Sequence, residues 1–166
     1  MTKVPKYWSK AKLYLSKKDK IMKNLILKYK SPSEKILTTR KDIFYSLCKS
    51  IIGQQISVAA ADSVFKRFRL LCKNKINSKV VLKIKNSNLK KCGLSKQKVN
   101  GIKNLALQIS NNTFNPKLIS KMDDEQAILY LSNLKQIGRC SAEMILLFTY
   151  NRPNIWPIQD IGLLRA

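Results

Sequence analysis

The 166-residue chain contains no histidine, only 5 glycines, 9 acidic residues and 4 cysteines. Without histidine, neither a Ser-His-Asp nor a Cys-His nucleophile can be assembled, and His-ligated zinc hydrolysis is excluded as well. The cysteines, Cys48, Cys72, Cys92 and Cys140, lie 24, 20 and 48 positions apart. That spacing suits neither a zinc site nor a disulfide scaffold, so reduced thiols are expected. No apolar run approaches the roughly 18 residues of a membrane span, and the opening "MTKVPKYWSKAK" lacks the apolar core of a secretory signal. These absences predict a cytoplasmic protein with no membrane partner. Strand-like alternation is also scarce, which leaves an all-α fold.

What the chain has is lysine. It carries 33 basic residues, 27 of them lysine, and a net charge of +24. A polyanion, nucleic acid first, is the natural partner of such a surface. An AT-rich genome, which favours Lys, Ile and Asn codons, would produce the same composition with no binding role. Apolar residues recur at three- and four-residue steps over 5–15, 18–29, 41–52, 57–72, 78–84, 96–110, 124–134 and 139–150, predicting helices there. Ser95 and Asp123 or Asp124 suit N-caps, Pro153 ends the last full helix near Tyr150 or Asn151, and Gly53, Gly93 and Gly138 mark joins. With no repeat or Gly/Ser linker, the chain reads as one domain over 1–166, in two lobes with a groove between them. A further helical pattern opens at "QDIGLLRA" and stops within two turns, as if a piece were missing.

The stretch "LSNLKQIGRCSAEMILLFTY" is two apolar segments joined by "KQIG", which predicts a helical hairpin over about 124–150. Gly138 opens its second helix, where its lack of a side chain permits a positive φ and a close approach of the backbone to another molecule. The unpaired amides of the first helical turn then form an anion site flanked by Lys135 and Arg139, where a DNA phosphate fits. An ordinary hairpin with a glycine turn fits the same residues.

In "FYSLCKSIIGQQISVAAADSVF", "LKKCGLSKQKVNGIKNLA", "LKQIGRCSAEMILLF" and "WPIQDIGLLRA", in that order, the chain resembles the helix-hairpin-helix DNA glycosylases. Within them it is most similar to the 3-methyladenine DNA glycosylase II branch. The resemblance runs through essentially the whole chain and implies a helical portion beyond Ala166 that members usually carry. It implies a cofactor-free monofunctional glycosylase, a monomer, that excises alkylated purines from double-stranded DNA in base excision repair. Asp160 falls at the family's catalytic carboxylate. The hairpin, Lys135, Gln136, Ile137, Gly138, Arg139 and Ser141, falls where the family grips DNA. A Na or K ion is implied on the main-chain carbonyls of Ser132, Leu134 and Ile137. Gln136 stands where many relatives have a second glycine.

In "GQQIS", Gln55 stands where relatives fill the gap left by a flipped base, with Gln54 and Ser57 beside it. Read from the residues alone, these glutamines cap a helix starting near Ile56. Cys140 occupies the position of the lysine that bifunctional relatives use to nick the strand, and a thiol cannot form an iminium. The scattered cysteines also exclude the iron-sulfur branch. Trp156, Phe44, Tyr45, Cys140 and Met144 are candidates for a base pocket, and the aromatics suit a hydrophobic core equally well. Two rival readings stay open: a non-catalytic DNA-binding hairpin with Asp160 as a helix N-cap, and an inactive truncated glycosylase.

Overall fold

A computed structural model of the chain describes residues 5–29, 42–160 and 164. All regular elements among them are helical. Contacts divide the chain into two units, 1–39 and 40–166. In the first, α1 (Trp8–Lys18) packs on α2 (Lys20–Lys28). Asp19 separates them, its carboxylate accepting from the Met22 amide at 2.9 Å. None of the residues of these two helices is buried.

The second unit contains α3 (Ile43–Gly53), α4 (Val58–Leu71), α5 (Ser78–Lys83), α6 (Asn86–Lys91), α7 (Lys96–Ser110), a 3-10 helix (Pro116–Lys121), α8 (Asp124–Ser132) and α9 (Arg139–Tyr150). Local chemistry explains most of the starts. Asp42, Ser57, Asn77, Ser95, Asn115 and Asp123 each accept a first-turn amide through the side chain, each cap contributing about 1 kcal/mol. At Asp123 the cap is reciprocal, because Gln126 accepts from the Asp123 amide in return.

The core is built around α3, whose Ile43, Phe44, Leu47, Cys48, Ile51 and Ile52 are all buried. Four of them are at most 1% exposed. Full burial of an Ile or Leu is worth about 1.5–3 kcal/mol, so α3 is the hydrophobic axis of this unit. It packs on α4, α7 and α9, and α8 packs on α9.

Every helix expected from periodicity is present, within a few residues at its ends. Two elements were not anticipated, α6 and the 3-10 helix. Both are six residues long and supply one buried side chain each, Leu89 and Ile119, too few to set a period. The four cysteines are free thiols. Residues 161–163, 165 and 166, which carry most of the expected final helix, lie outside the described residues.

Candidate active site

Gly138 does not take the positive φ that it permits: it is extended, at φ −88 and ψ 177. The left-handed residue is Gln136, at φ 71, so glutamine adopts the backbone that the second glycine of relatives would favour. Gln136 lies against α7, where only glycine leaves room. A Cβ on Gly101 would stand 2.8 Å from Gln136 Cγ and 3.1 Å from its Cβ. A Cβ on Gly138 would meet nothing within 4 Å, so that face of the turn is open to an approaching backbone. No side chain caps the first turn of α9, and its amides stand at the positive end of the helix dipole.

Arg139 is already engaged. Its guanidinium grips Glu125 of α8 in a bidentate pair, at 2.6 and 3.0 Å, and reaches Glu143 of α9 at 3.0 Å. Its charge fastens the two hairpin helices beside the turn. Lys135 is exposed beside the turn. Ile137 is buried, so only its main chain is available to a ligand.

The "GQQIS" loop meets this turn directly. Gln54 Nε2 donates to the Gln136 carbonyl at 2.7 Å and to Ser141 Oγ at 3.3 Å. Gln55 follows at φ 57, exposed, with Ile56, Ser57 and Val58 exposed after it. Ser57 is the true N-cap of α4, accepting from the Ala60 amide at 3.3 Å. The helix starts at Val58 rather than Ile56, and neither glutamine caps it.

Asp160 lies at the end of a segment that is firmly anchored. After α9, Asn151 turns the chain in the left-handed conformation, at φ 53. Arg152 then donates to Asp124 Oδ1 at 2.7 Å and to the carbonyls of Ile119 and Met122 at 2.6 and 2.9 Å. Ile155 and Pro157 are buried further on. Asp160 itself is half-buried. Burial first, then the Asp160 carboxylate and then Glu143, push the Cys140 thiol above its ordinary value. The carboxylate is therefore within electrostatic reach of α9's first turn, two residues past Gly138. The hairpin turn and the glutamine loop are thus in direct contact, and Asp160 is coupled electrostatically to Cys140 just beyond the turn.

The pocket candidates separate. Phe44 is 5% exposed and belongs to the core, as α3's periodicity requires, so it is withdrawn from the base pocket. Tyr45 is half-buried and packs edge-on against Phe65, with centroids 5.1 Å apart. Cys140 and Met144 are half-buried on α9, and Trp156 is 70% exposed.

The hairpin carbonyls suit a monovalent cation. Ser132 ends α8, where helix carbonyls lose their intrahelical partners. The Leu134 carbonyl accepts from the Ile137 amide, leaving a second lone pair. The buried Ser132 hydroxyl has no hydrogen-bond partner among the described residues. Hard oxygen donors without a carboxylate fit a singly charged ion.

Three site-shaping residues were not foreseen: Lys98, Gly101 and Arg152. Lys98 Nζ donates to the carbonyls of Ile52 and Gln54, both at 2.8 Å. Among so many lysines nothing marks Lys98 in the sequence. Gly101, a glycine inside an otherwise regular helical pattern, was the one visible signal of close approach.

The chain is similar to known proteins over most of its length. The chain is 25% identical over 158 residues to DNA-3-methyladenine glycosylase 1 of Schizosaccharomyces pombe, covering 93% of this chain and 69% of that protein. It is 29% identical over 137 residues to DNA-3-methyladenine glycosylase of Saccharomyces cerevisiae, of which it spans 46%. The solved structure of the S. pombe 3-methyladenine DNA glycosylase in complex with abasic DNA superposes with a TM-score of 0.78 at 25% identity, covering 93% of this chain and 76% of that one. Residues 48–166, from the middle of α3 through Asp160, match the family described as HhH-GPD superfamily base excision DNA repair protein, and the chain belongs to that superfamily.

Proposed function

We propose that the protein is a monofunctional DNA glycosylase that hydrolyses the N-glycosidic bond of alkylated purines, 3-methyladenine among them, in double-stranded DNA. The observation that carries this reading is the placement of the half-buried Asp160 carboxylate within reach of Cys140, at the start of a helix whose first turn has no side-chain cap. The chain spans about half the length of the S. cerevisiae relative, and the activity is proposed for these residues in that knowledge.

Each part has a physical task. The open amides at Gly138 and the Lys135 ammonium attract a backbone phosphate. A cation on the carbonyls of Ser132, Leu134 and Ile137 would add positive charge there. Extruding the damaged nucleotide costs a few kcal/mol, least where pairing is already weak. Gln55, exposed on its loop, would fill the vacated stack.

As the bond between the sugar's anomeric carbon and the base nitrogen breaks, the electron pair leaves with the base and positive charge gathers on the sugar. A fixed carboxylate at Asp160 stabilises that charge, because it needs no reorganisation and is partly shielded from water. Water then adds to the anomeric carbon and gives up its proton, leaving an abasic sugar and the free base. The upward-shifted Cys140 stays a thiol and supplies no amine, so strand cleavage through a Schiff base has no nucleophile there.

The test uses duplexes carrying 3-methyladenine, 7-methylguanine, hypoxanthine or ethenoadenine, followed by alkali to open abasic sites. Strand breaks only after alkali are expected. Asp160→Asn should slow excision by at least about 10²- to 10³-fold. Breaks before alkali would identify a lyase, and binding without any product would leave only a DNA-gripping module.

A further inference from the structure

We propose that Lys98 is a positioning residue that locks the Gln54–Gln55 loop to the phosphate-gripping hairpin, so that insertion into the stack and grip on the strand act as one rigid device. The inference rests on the glycosylase reading for its purpose, but its geometry stands apart from it.

The argument starts at the end of α3. Every other α-helix in the described chain closes its C-terminus with a backbone bond from its cap residue, and α3 does not. Its last turn also holds no basic residue. The orphan carbonyls there, at the negative end of a buried helix, demand a donor from elsewhere. Lys98 of α7 supplies it, reaching Ile52 and Gln54 at 2.8 Å each.

With its own carbonyl held, Gln54 is free to aim its amide the other way, onto Gln136 and Ser141. One turn along α7, Gly101 receives the Gln136 side chain. Lys98 and Gly101 are three apart and share a face of α7, so a single helix face touches both the loop and the hairpin turn. Burial holds the Lys98 pKa below that of an ordinary lysine, in keeping with an ammonium sheltered among carbonyls.

Lys103 provides an internal control. Its ammonium donates to the carbonyls of Val81, Leu82 and Ile84 at 2.9, 2.9 and 2.5 Å. The chemistry matches that of Lys98, but it closes α5, whose residues belong to neither the loop nor the hairpin. A purely structural role for Lys98 would make Lys98→Met and Lys103→Met behave alike.

The experiment compares Lys98→Met, Lys98→Arg, Gln54→Leu and Lys103→Met in the full chain. Amide hydrogen exchange in the free protein should quicken in residues 53–57 and also in 136–139 for Lys98→Met, and in neither segment for Lys103→Met. Unchanged protection in 136–139 overturns the proposal. With DNA, 2-aminopurine beside an abasic-site analogue reads unstacking. Lys98→Met and Gln54→Leu should lose most of that signal, the double variant no worse than either single one, while Lys98→Arg keeps it in part.

Excision of a lesion opposite a normal base should fall roughly tenfold or more in Lys98→Met, as misplacement by about 1 Å costs up to 10²-fold. The loss should shrink for the same lesion opposite an abasic site, where flipping is already cheap. Equal losses on both duplexes, or equal effects of the two lysine variants, refute the positioning role. If Lys98→Met does not fold, Gln54→Leu carries the same comparisons. A wild type that excises nothing sinks the glycosylase reading, and the exchange and fluorescence arms still decide the lock.

Discussion

A thiolate is the reactive form of cysteine, so whatever disfavours negative charge at Cys140 slows its alkylation. Burial does most of this, and the Asp160 carboxylate adds to it. Asp160→Asn should therefore lower the Cys140 pKa and speed its reaction with iodoacetamide at pH 8 by a few-fold, the gain in thiolate being partly offset by its weaker nucleophilicity. Mass spectrometry of the native protein should find Cys140 labelled first. Cys48, Cys72 and Cys92 are buried, with thiols pushed upward by that burial, Cys72 to about 11, and should stay unlabelled until unfolding. An unchanged Cys140 rate in Asp160→Asn would separate the carboxylate from α9 and with it the geometry on which catalysis is argued. That Cys140 stands at the lysine position of bifunctional relatives was legible from the hairpin motif alone. Its coupling to Asp160, twenty positions on, needed the Arg152 anchor, which joins residues 28 to 33 positions apart.

Helices were legible because their causes are local. Asp123 and Ser95 announce their caps, and the spacing of Ile43, Leu47, Ile51 and Ile52 announces a buried face. Contacts between elements were not, since Gln54 and its hairpin acceptor are 82 positions apart. That Gln136 rather than Gly138 takes the positive φ has the same origin. Which residue of the turn goes left-handed depends on α7, where Gly101 makes room for Gln136.

Two predictions belong at the element scale. Gly101→Ala gains about 1 kcal/mol of helix propensity. It also drives a methyl into Gln136 atoms close to the backbone, an overpacking worth about 1–3 kcal/mol. Urea denaturation should show net loss, and adding Gln136→Gly should recover it by removing both the clash and the left-handed strain. The second concerns the hairpin clamp, where the Arg139 hydrogen bond, opposed by burial and aided by the charge of Arg139, holds the Glu125 carboxyl below its usual 4.5. A depressed carboxylate stabilises the fold above its unfolded value and loses that contribution as pH falls through the folded one. Glu125→Gln should melt slightly below wild type at pH 7, and the gap should close as the pH falls through the depressed Glu125 value, below the usual 4.5. A gap that persists in acid would mean the clamp is not ionic.

At the scale of the whole molecule, charge decides what the surface can do. Six of the 9 acids serve the fold: Asp19, Asp42 and Asp123 start helices, and Asp124, Glu125 and Glu143 hold arginines. The acids that hold arginines thus neutralise Arg139 and Arg152, and the +24 excess is left to the other basic residues, mostly lysines. Composition alone could not tell a genomic bias toward lysine from a binding surface, because both give the same count. Salt tells them apart. Displacing counterions from about 6 to 10 phosphates weakens binding about 10³- to 10⁵-fold between 50 and 200 mM salt. Fluorescence anisotropy with an undamaged duplex should follow that law. Lys135→Ala should reduce the slope by roughly one phosphate's worth, whereas Arg139→Ala should leave the slope alone and act through stability, since its charge is held by Glu125 and Glu143. If instead Arg139→Ala lowered the slope as Lys135→Ala does, the clamp would have to open on DNA and the hairpin would be remodelled by its ligand. A flat response to salt in the wild type would remove the duplex as partner, whatever the family.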